Sequence, residues 1–170
     1  NAVHLYQHFI MELVFRADDN LSIKNHTNLS VEEVTQDNLA LCSGSFNLKY
    51  TYKRKYAKNC HRLLLRDGKQ VLGYACLSLK GGRDRMYKVK ECDAYIYDVF
   101  VFPEHRGKRY VSFLLNALIE ESLGCEGTVR LCVRINNVSA QKAYQHMGFQ
   151  IIAKKSFLRI LRINIPQQVI

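Results

Sequence analysis

Apolar and polar positions recur along this chain in blocks whose period changes between two and about 3.6, and each change marks an expected element. Residues His8 to Phe15 are apolar enough for an opening strand, and the polar stretch Asp18 to Asn28 reads as a loop. Ser30 and Glu33 form a capping-box pair ahead of Val31, Val34, Leu39 and Leu41, which predicts a helix start there, ended or bent by Gly44. From Phe46 to Ala57 tyrosines and basic residues predominate, the composition of a second helix with its aromatics toward the core.

Leu63 to Leu65 and Val71 to Leu79 are β-compatible runs joined through Asp67-Gly68, a hairpin signal that makes them adjacent antiparallel strands. Beyond a Gly81-Gly82 loop, Ala94 to Phe102 is dense in β-branched and aromatic residues, as a central strand would be, and Pro103 stops it. Val111, Leu114, Leu115, Leu118 and Leu123 then recur at helical spacing from Tyr110, with Gly124 as C-terminal cap. Val129 to Ile135 reads as a strand, Ser139 to Met147 as a short helix, and Phe149 to Ile165 as one or two closing strands. The order is strand, helices, three strands, helix, strand, helix, strand, without internal repeat. It predicts an α/β (α+β) class, a mixed sheet with helices packed against it.

Composition narrows the setting. With 170 residues, 48% of them hydrophobic, the chain suits one compact domain over residues 1–170. No run approaches the roughly eighteen apolar residues of a membrane span, and the first residues lack the basic-then-apolar layout of a secretory signal, so a cytoplasmic protein without membrane attachment is expected. The six cysteines, Cys42, Cys60, Cys76, Cys92, Cys125 and Cys132, form no metal-ligand spacing. No metal site is expected. Cys76 and Cys132 lie in apolar strand-like runs, where a reduced thiol serves as a small hydrophobe rather than a nucleophile. A formal net charge of +10 attracts anions in general: nucleic acid, acidic proteins or a phosphorylated cofactor.

Two segments carry candidate chemistry. Between the strand ending at Phe102 and the helix starting near Tyr110 runs Pro103-Glu104-His105-Arg106-Gly107-Lys108-Arg109. A helix N-terminus leaves backbone N–H groups unpaired and carries partial positive charge, so such a turn can cradle phosphate, and Arg106, Lys108 and Arg109 add side-chain charge. Taken alone, this segment reads more readily as an ordinary turn with solvated basic residues. The second segment, Asn137 to Phe149, places Ala140 and Tyr144 on one helix face, where a small side chain permits close approach beside a phenol. Gly148 ends that helix in a left-handed residue and Phe149 tucks back to the core.

Together these segments resemble the GNAT superfamily of N-acetyltransferases, and the element order follows that family over nearly the whole chain. Asn137, Ala140, Tyr144, Gly148 and Phe149 match the family pattern N-x-x-A-x-x-x-Y-x-x-x-G-F at every specified position. Asp98, Val101, Pro103, Glu104, Arg106, Gly107 and Lys108 match its D-x-x-V-x-P-E-x-R-G-K run. The resemblance implies a mostly antiparallel sheet with splayed central strands and flanking helices, and an enzyme that moves an acetyl group from acetyl-CoA to a primary amine by direct attack. Pantetheine would bond to backbone near Phe100 and Val101, like an added strand. The pyrophosphate would sit on the amides of Gly107, Lys108, Arg109, Tyr110 and Val111, beside Arg106. Asn137 would hold pantetheine or the helix start, and Tyr144 would be the general acid toward the leaving thiolate. Asp98 is the nearest candidate base, with Glu104 and Asp93 behind it; a structural carboxylate, with ordered water as the base, is the equal alternative.

One departure stands out. The family's phosphate loop usually reads R/Q-x-x-G-x-G/A, whereas Arg109 and Val111 occupy its two small positions here. Retained phosphate binding is expected on the ground that amides at a helix start need no glycine when φ is negative. The acceptor region corresponds to Leu41 to Ala57, where Tyr50, Tyr52 and Tyr56 with Lys53 and Arg54 would suit a carboxylate or phosphate, or simply pack the core. The second functional reading is a non-catalytic GNAT-like module whose basic face binds nucleic acid or an acidic partner. A homodimer through terminal strands is open as well, since the apolar ending Ile160 to Ile170 suits that or a packed final strand.

Overall fold

The computed structural model describes residues 2–16, 28–41, 60–79, 93–124 and 126–161. Its elements are β1 (Ala2–Arg16), β2 (Leu29–Glu33), β3 (Cys60–Asp67), β4 (Gln70–Leu79), β5 (Ala94–Val101), α1 (Tyr110–Leu123), β6 (Glu126–Arg134), α2 (Val138–His146) and β7 (Gln150–Leu161). Single 3-10 turns lie at Leu39–Leu41 and Pro103–His105. The seven strands form one sheet ordered β2-β3-β4-β5-β6-β1-β7, antiparallel everywhere except between β5 and β6. This is the mixed, mostly antiparallel α/β class expected, with β5 at the centre. The expected helix at 46–57 and the turns at Gly44 and Gly81-Gly82 lie outside the described residues.

Period-two patterning divides the sheet into two faces. Along β1, Phe9, Met11, Leu13 and Phe15 join the main core with Leu63, Leu77, Ile96, Val129 and Leu131. Helix α1 lies across β3, β4 and β5 on this side, with Leu114, Leu115, Leu118 and Ile119 at 0% exposure. Each such leucine contributes about 1.5–3 kcal/mol through burial. The alternate β1 residue Ile10 packs on the opposite face with Tyr95, Tyr97, Cys132 and Ala153. The hairpin foreseen at Asp67-Gly68 is present, with β3 and β4 paired through Asp67↔Gln70.

The helix expected from Ser30 and Glu33 does not form. Residues Leu29–Glu33 are strand β2, paired antiparallel with β3 from Leu29↔Asp67 to Glu33↔Leu63. Capping-box chemistry is a weak local preference, and here a partner strand with open backbone groups outweighs it. Leu29 and Val31, two apart, both turn to the main core, and Glu32 pairs with Arg66 at 3.3 Å. Asn38 then fixes the chain reversal: its Oδ1 accepts from the Thr35 amide at 2.7 Å, and its Nδ2 donates to Glu33 O at 2.8 Å. Leu39 and Leu41 make only a single turn.

Candidate functional site

The parallel contact of β5 with β6 spans only Ala94–Val129, Tyr95–Arg130 and Ile96–Leu131. Beyond Ile96, β5 follows β4 to Val101, while beyond Leu131, β6 follows β1 to Arg134. The centre of the sheet therefore opens into a wedge, the splay that the resemblance implied. Its walls carry backbone donors and acceptors with no strand opposite them among the described residues.

A bulge directs β5 away. Tyr74 stands opposite Phe100 and Cys76 opposite Tyr97, so Asp98 and Val99 share the place of one partner residue, and Asp98 adopts a left-handed φ of +50°. Aspartate tolerates that conformation better than most residues, and a bulge re-aims the side chains beside it. Where the two strands close again, a Cβ on Gly73 would stand 2.4 Å from Phe100 O, so glycine is required there. Phe102 donates to Leu72 O at 3.0 Å. By the alternation of antiparallel bonds, the N–H and C=O of Val101 face the wedge. On the opposite sheet face, burial foremost, with neighbouring Cys76 and Cys60, pushes the Tyr97 phenol up and keeps it neutral.

The turn after β5 is held by its own side chains. Arg106 donates from Nε to Val101 O at 3.0 Å and lays its guanidinium 5.8 Å above the Phe100 ring. Phe100 is itself stacked on Tyr74 at 5.5 Å. Arg106 thus ties the turn to the strand end, while Lys108 and Arg109 are exposed. The amides of His105 and Arg106 are taken by Phe102 O and Pro103 O, and those of Ser112 and Phe113 by Arg109 O. Between them, the amides of Gly107, Lys108, Arg109 and Val111 donate to no backbone carbonyl among the described residues.

The premise of negative φ fails at Arg109. This residue, standing where the family pattern has glycine, caps α1 in the left-handed region with φ +61°. The turn requires that dihedral whichever residue occupies it, and a β-carbon there costs about 1–2 kcal/mol. A Cβ at Gly107, whose φ is +81°, would meet nothing within 4 Å among the described residues, so none of them obstructs the cradle on that side. Val111 packs its side chain on the main core. Both features fit a phosphate-sized anion over the exposed amides.

Across the wedge, α2 begins directly after β6. Asn137 accepts from the Ala140 amide at 3.3 Å and is the helix N-cap. Gln141, which the sequence reading did not single out, donates from Nε2 to Arg134 O at 3.0 Å and Ile135 O at 2.9 Å, fastening α2 to the end of β6. Tyr144 is 8% exposed within the main core, its ring 6.0 Å from that of Phe149, whose amide donates to Tyr144 O. Burial pushes the Tyr144 phenol up to about 12, so it holds its proton throughout neutral pH. The two motif segments flank one wedge, the first prolonging β5 and the second prolonging β6. Of the residues expected to shape the acceptor pocket, Leu41 to Ala57, all beyond Leu41 lie outside the described residues.

A family model described as Acetyltransferase (GNAT) family matches residues 31–149. No curated protein matches the chain. Among solved structures, a Drosophila protein is 13% identical with a TM-score of 0.67, covering 95% of this chain and 52% of that one. A functionally unknown conserved protein from Staphylococcus epidermidis is 12% identical with a TM-score of 0.68, covering 93% and 63%. The chain thus spans between half and two thirds of the length of these two proteins. An aminoglycoside N-acetyltransferase, AAC(6')-Iy in complex with CoA, is 13% identical with a TM-score of 0.58, covering 85% and 99%. At such identities the likeness is one of fold.

Proposed function

The chain belongs to the GNAT acetyltransferase family, and from that premise we propose that it transfers an acetyl group from acetyl-CoA to a primary amine by direct attack. The observation that carries the reading is the wedge between β5 and β6, which has the open amides of the α1 start on one lip and the Asn137 cap of α2 on the other. Bound acetyl-CoA supplies a thioester, an acyl group already activated toward amines.

The chain's own groups then take distinct roles. The amides of Gly107, Lys108, Arg109 and Val111, with the exposed cations of Lys108 and Arg109, bind the pyrophosphate. Val101 offers its N–H and C=O to the pantetheine amides as a neighbouring strand would, while Arg106 keeps that edge aligned with the phosphate turn. Arg106 is therefore a positioning residue in this reading. Asn137 orients the start of α2 and through it Tyr144.

Tyr144 donates its O–H toward the departing sulfur. With the phenol near 12 and an ordinary thiol near about 8.5, full proton transfer to sulfur is uphill by roughly 5 kcal/mol. The hydroxyl therefore keeps its proton and stabilises developing negative charge by a hydrogen bond, and the proton that ends on sulfur is the one the amine gives up, passed on by the base or by water. Asp98, re-aimed by its bulge, takes up the amine's proton directly or through water.

Isothermal titration with acetyl-CoA, followed by a thiol-release assay over a panel of primary amines, tests the proposal. Binding in the micromolar range and amine-dependent thiol release are expected. No heat at high micromolar cofactor would remove the reading.

A further inference from the structure

Helix α1 buries Leu114, Leu115, Asn116, Leu118 and Ile119, and Asn116 is the one polar residue among them. It is 3% exposed, and its Oδ1 finds no hydrogen-bond partner among the described residues. Buried amide oxygens are nearly always bonded, because an acceptor taken from water without a new donor costs stability. Leucine or alanine would also suit a helix interior better than asparagine. The unliganded fold thus bears a cost here that a bound donor would remove.

Chain geometry decides which way that amide lies. A parallel strand–helix–strand connection is right-handed almost without exception, and this hand turns the flank of α1 that holds Asn116 toward β6 and α2. Leu123, seven residues on and at nearly the same angle, agrees: its Cδ1 stands 2.9 Å from where a Cβ on Gly127 of β6 would be. Helices α1 and α2 pack on each other, and both start at the lip of the wedge, since they follow the parallel strands β5 and β6. Asn116 lies seven residues beyond the α1 cap Arg109, and Tyr144 seven beyond the α2 cap Asn137, so each is about 10 Å down its helix. The amide and the phenol therefore stand level on the α1 side of the wedge.

This pair has a chemical complement. The thioester end of acetyl-CoA carries an amide N–H two methylenes from its sulfur, so it presents one donor and one site of developing negative charge close together. A phenol that donates and an amide oxygen that accepts match the two in turn. We propose that Asn116 is a further cofactor-binding residue, whose Oδ1 accepts from the cysteamine N–H of CoA and so holds the sulfur beside the Tyr144 hydroxyl. The inference rests on the acetyl-CoA reading and adds to it a buried contact deep in the wedge, away from the phosphate turn.

Calorimetry with two probes tests it: CoA itself, and adenosine 3′-phosphate 5′-diphosphate, which is CoA without its pantetheine arm. In both Asn116→Leu and Asn116→Ala the Kd for CoA should rise about tenfold, the weight of one buried hydrogen bond, while the Kd for the truncated probe stays within about twofold. Alanine cannot crowd the wedge, so a loss shared by both variants is loss of the acceptor. The thermal midpoint of the unliganded protein should hold or rise in at least one variant, because the unbonded oxygen is gone, and CoA should raise it less than in the natural chain. A CoA affinity within about threefold of the natural chain in either variant overturns the proposal, as does an equal loss for both probes or a midpoint lowered in both variants. The readout is binding, so a chain that holds CoA without transferring acetyl groups still decides the role of Asn116. No heat from CoA on the natural chain removes both readings together; heat that the variants leave unmoved removes this one alone.

Discussion

The turn from Pro103 to Arg109 and the segment from Asn137 to Phe149 flank the same wedge, yet they reach their geometry by opposite means. In the second, each side chain agrees with its backbone: Asn137 caps, Gly148 takes φ +91°, and Phe149 closes on Tyr144. In the first, Arg109 takes a glycine-type conformation without being glycine, and Arg106 spends its Nε on Val101 O. The comparison teaches that the wedge constrains backbone more strictly than sequence. Where residue and backbone disagree, the surrounding fold carries the cost.

The contrast is broken most sharply at Tyr144. Tyr144→Phe should lower kcat about 100-fold, the loss of one donor to charge that develops at the sulfur, while the Kd for acetyl-CoA stays within about twofold. An unchanged kcat removes the phenol from the chemistry and leaves α2 as a structural cap alone. The same variant reads burial by pH. The folded phenol titrates near 12 and an unfolded one near about 10, so the folded state holds the proton longer. The stability this gives is intact below about pH 10 and is lost as pH rises toward 12, about 2–3 kcal/mol in all. Urea titrations at pH 9 and 11 should therefore show a steeper decline for the natural chain than for Tyr144→Phe. Equal slopes would mean the ring opens to solvent.

A smaller effect tests the well-matched side itself. Asn137→Ala removes the acceptor of the Ala140 amide and should cost about 1 kcal/mol of unfolding free energy, measurable in denaturant. Asn137→Ser should restore most of it. If alanine costs nothing, α2 is held by Gln141 and its two carbonyl bonds rather than by its cap.

Legibility followed how local each cause is. The β3–β4 hairpin, α1 and the end of α2 were readable because a few adjacent residues determine them: Asp67-Gly68, the 3.6-residue apolar spacing, and Gly148; Asn137 entered only with the family pattern, as a holder of pantetheine or of the helix start. Strand β2 was misread because Ser30 and Glu33 carry a true helix-start signal that is outvoted by β3, whose paired residues, from Leu63 for Glu33 to Asp67 for Leu29, are distant in sequence. The Asp98 bulge left no mark in A-Y-I-Y-D-V-F-V-F, since one inserted residue shows only once the register with β4 is known.

The smallest effect bears directly on the mismatched side. Arg109→Gly relieves the β-carbon at φ +61° but gives the unfolded chain more freedom, and these terms of about 1–2 and 0.5–1 kcal/mol leave a net gain of roughly 0.5–1 kcal/mol. Loss of the guanidinium beside the cradle acts the other way on binding, by a few-fold in the Kd for acetyl-CoA and more strongly at low salt. Arg109→Ala separates the two, since it removes the charge and keeps the strain. Alanine should be no more stable than arginine, glycine should be more stable than both, and the two variants should share the same weakened affinity. If glycine instead binds more tightly than arginine, the side chain crowds the phosphate. The departure from the family pattern would then be a reduction of cofactor affinity, not an exchange of flexibility for charge.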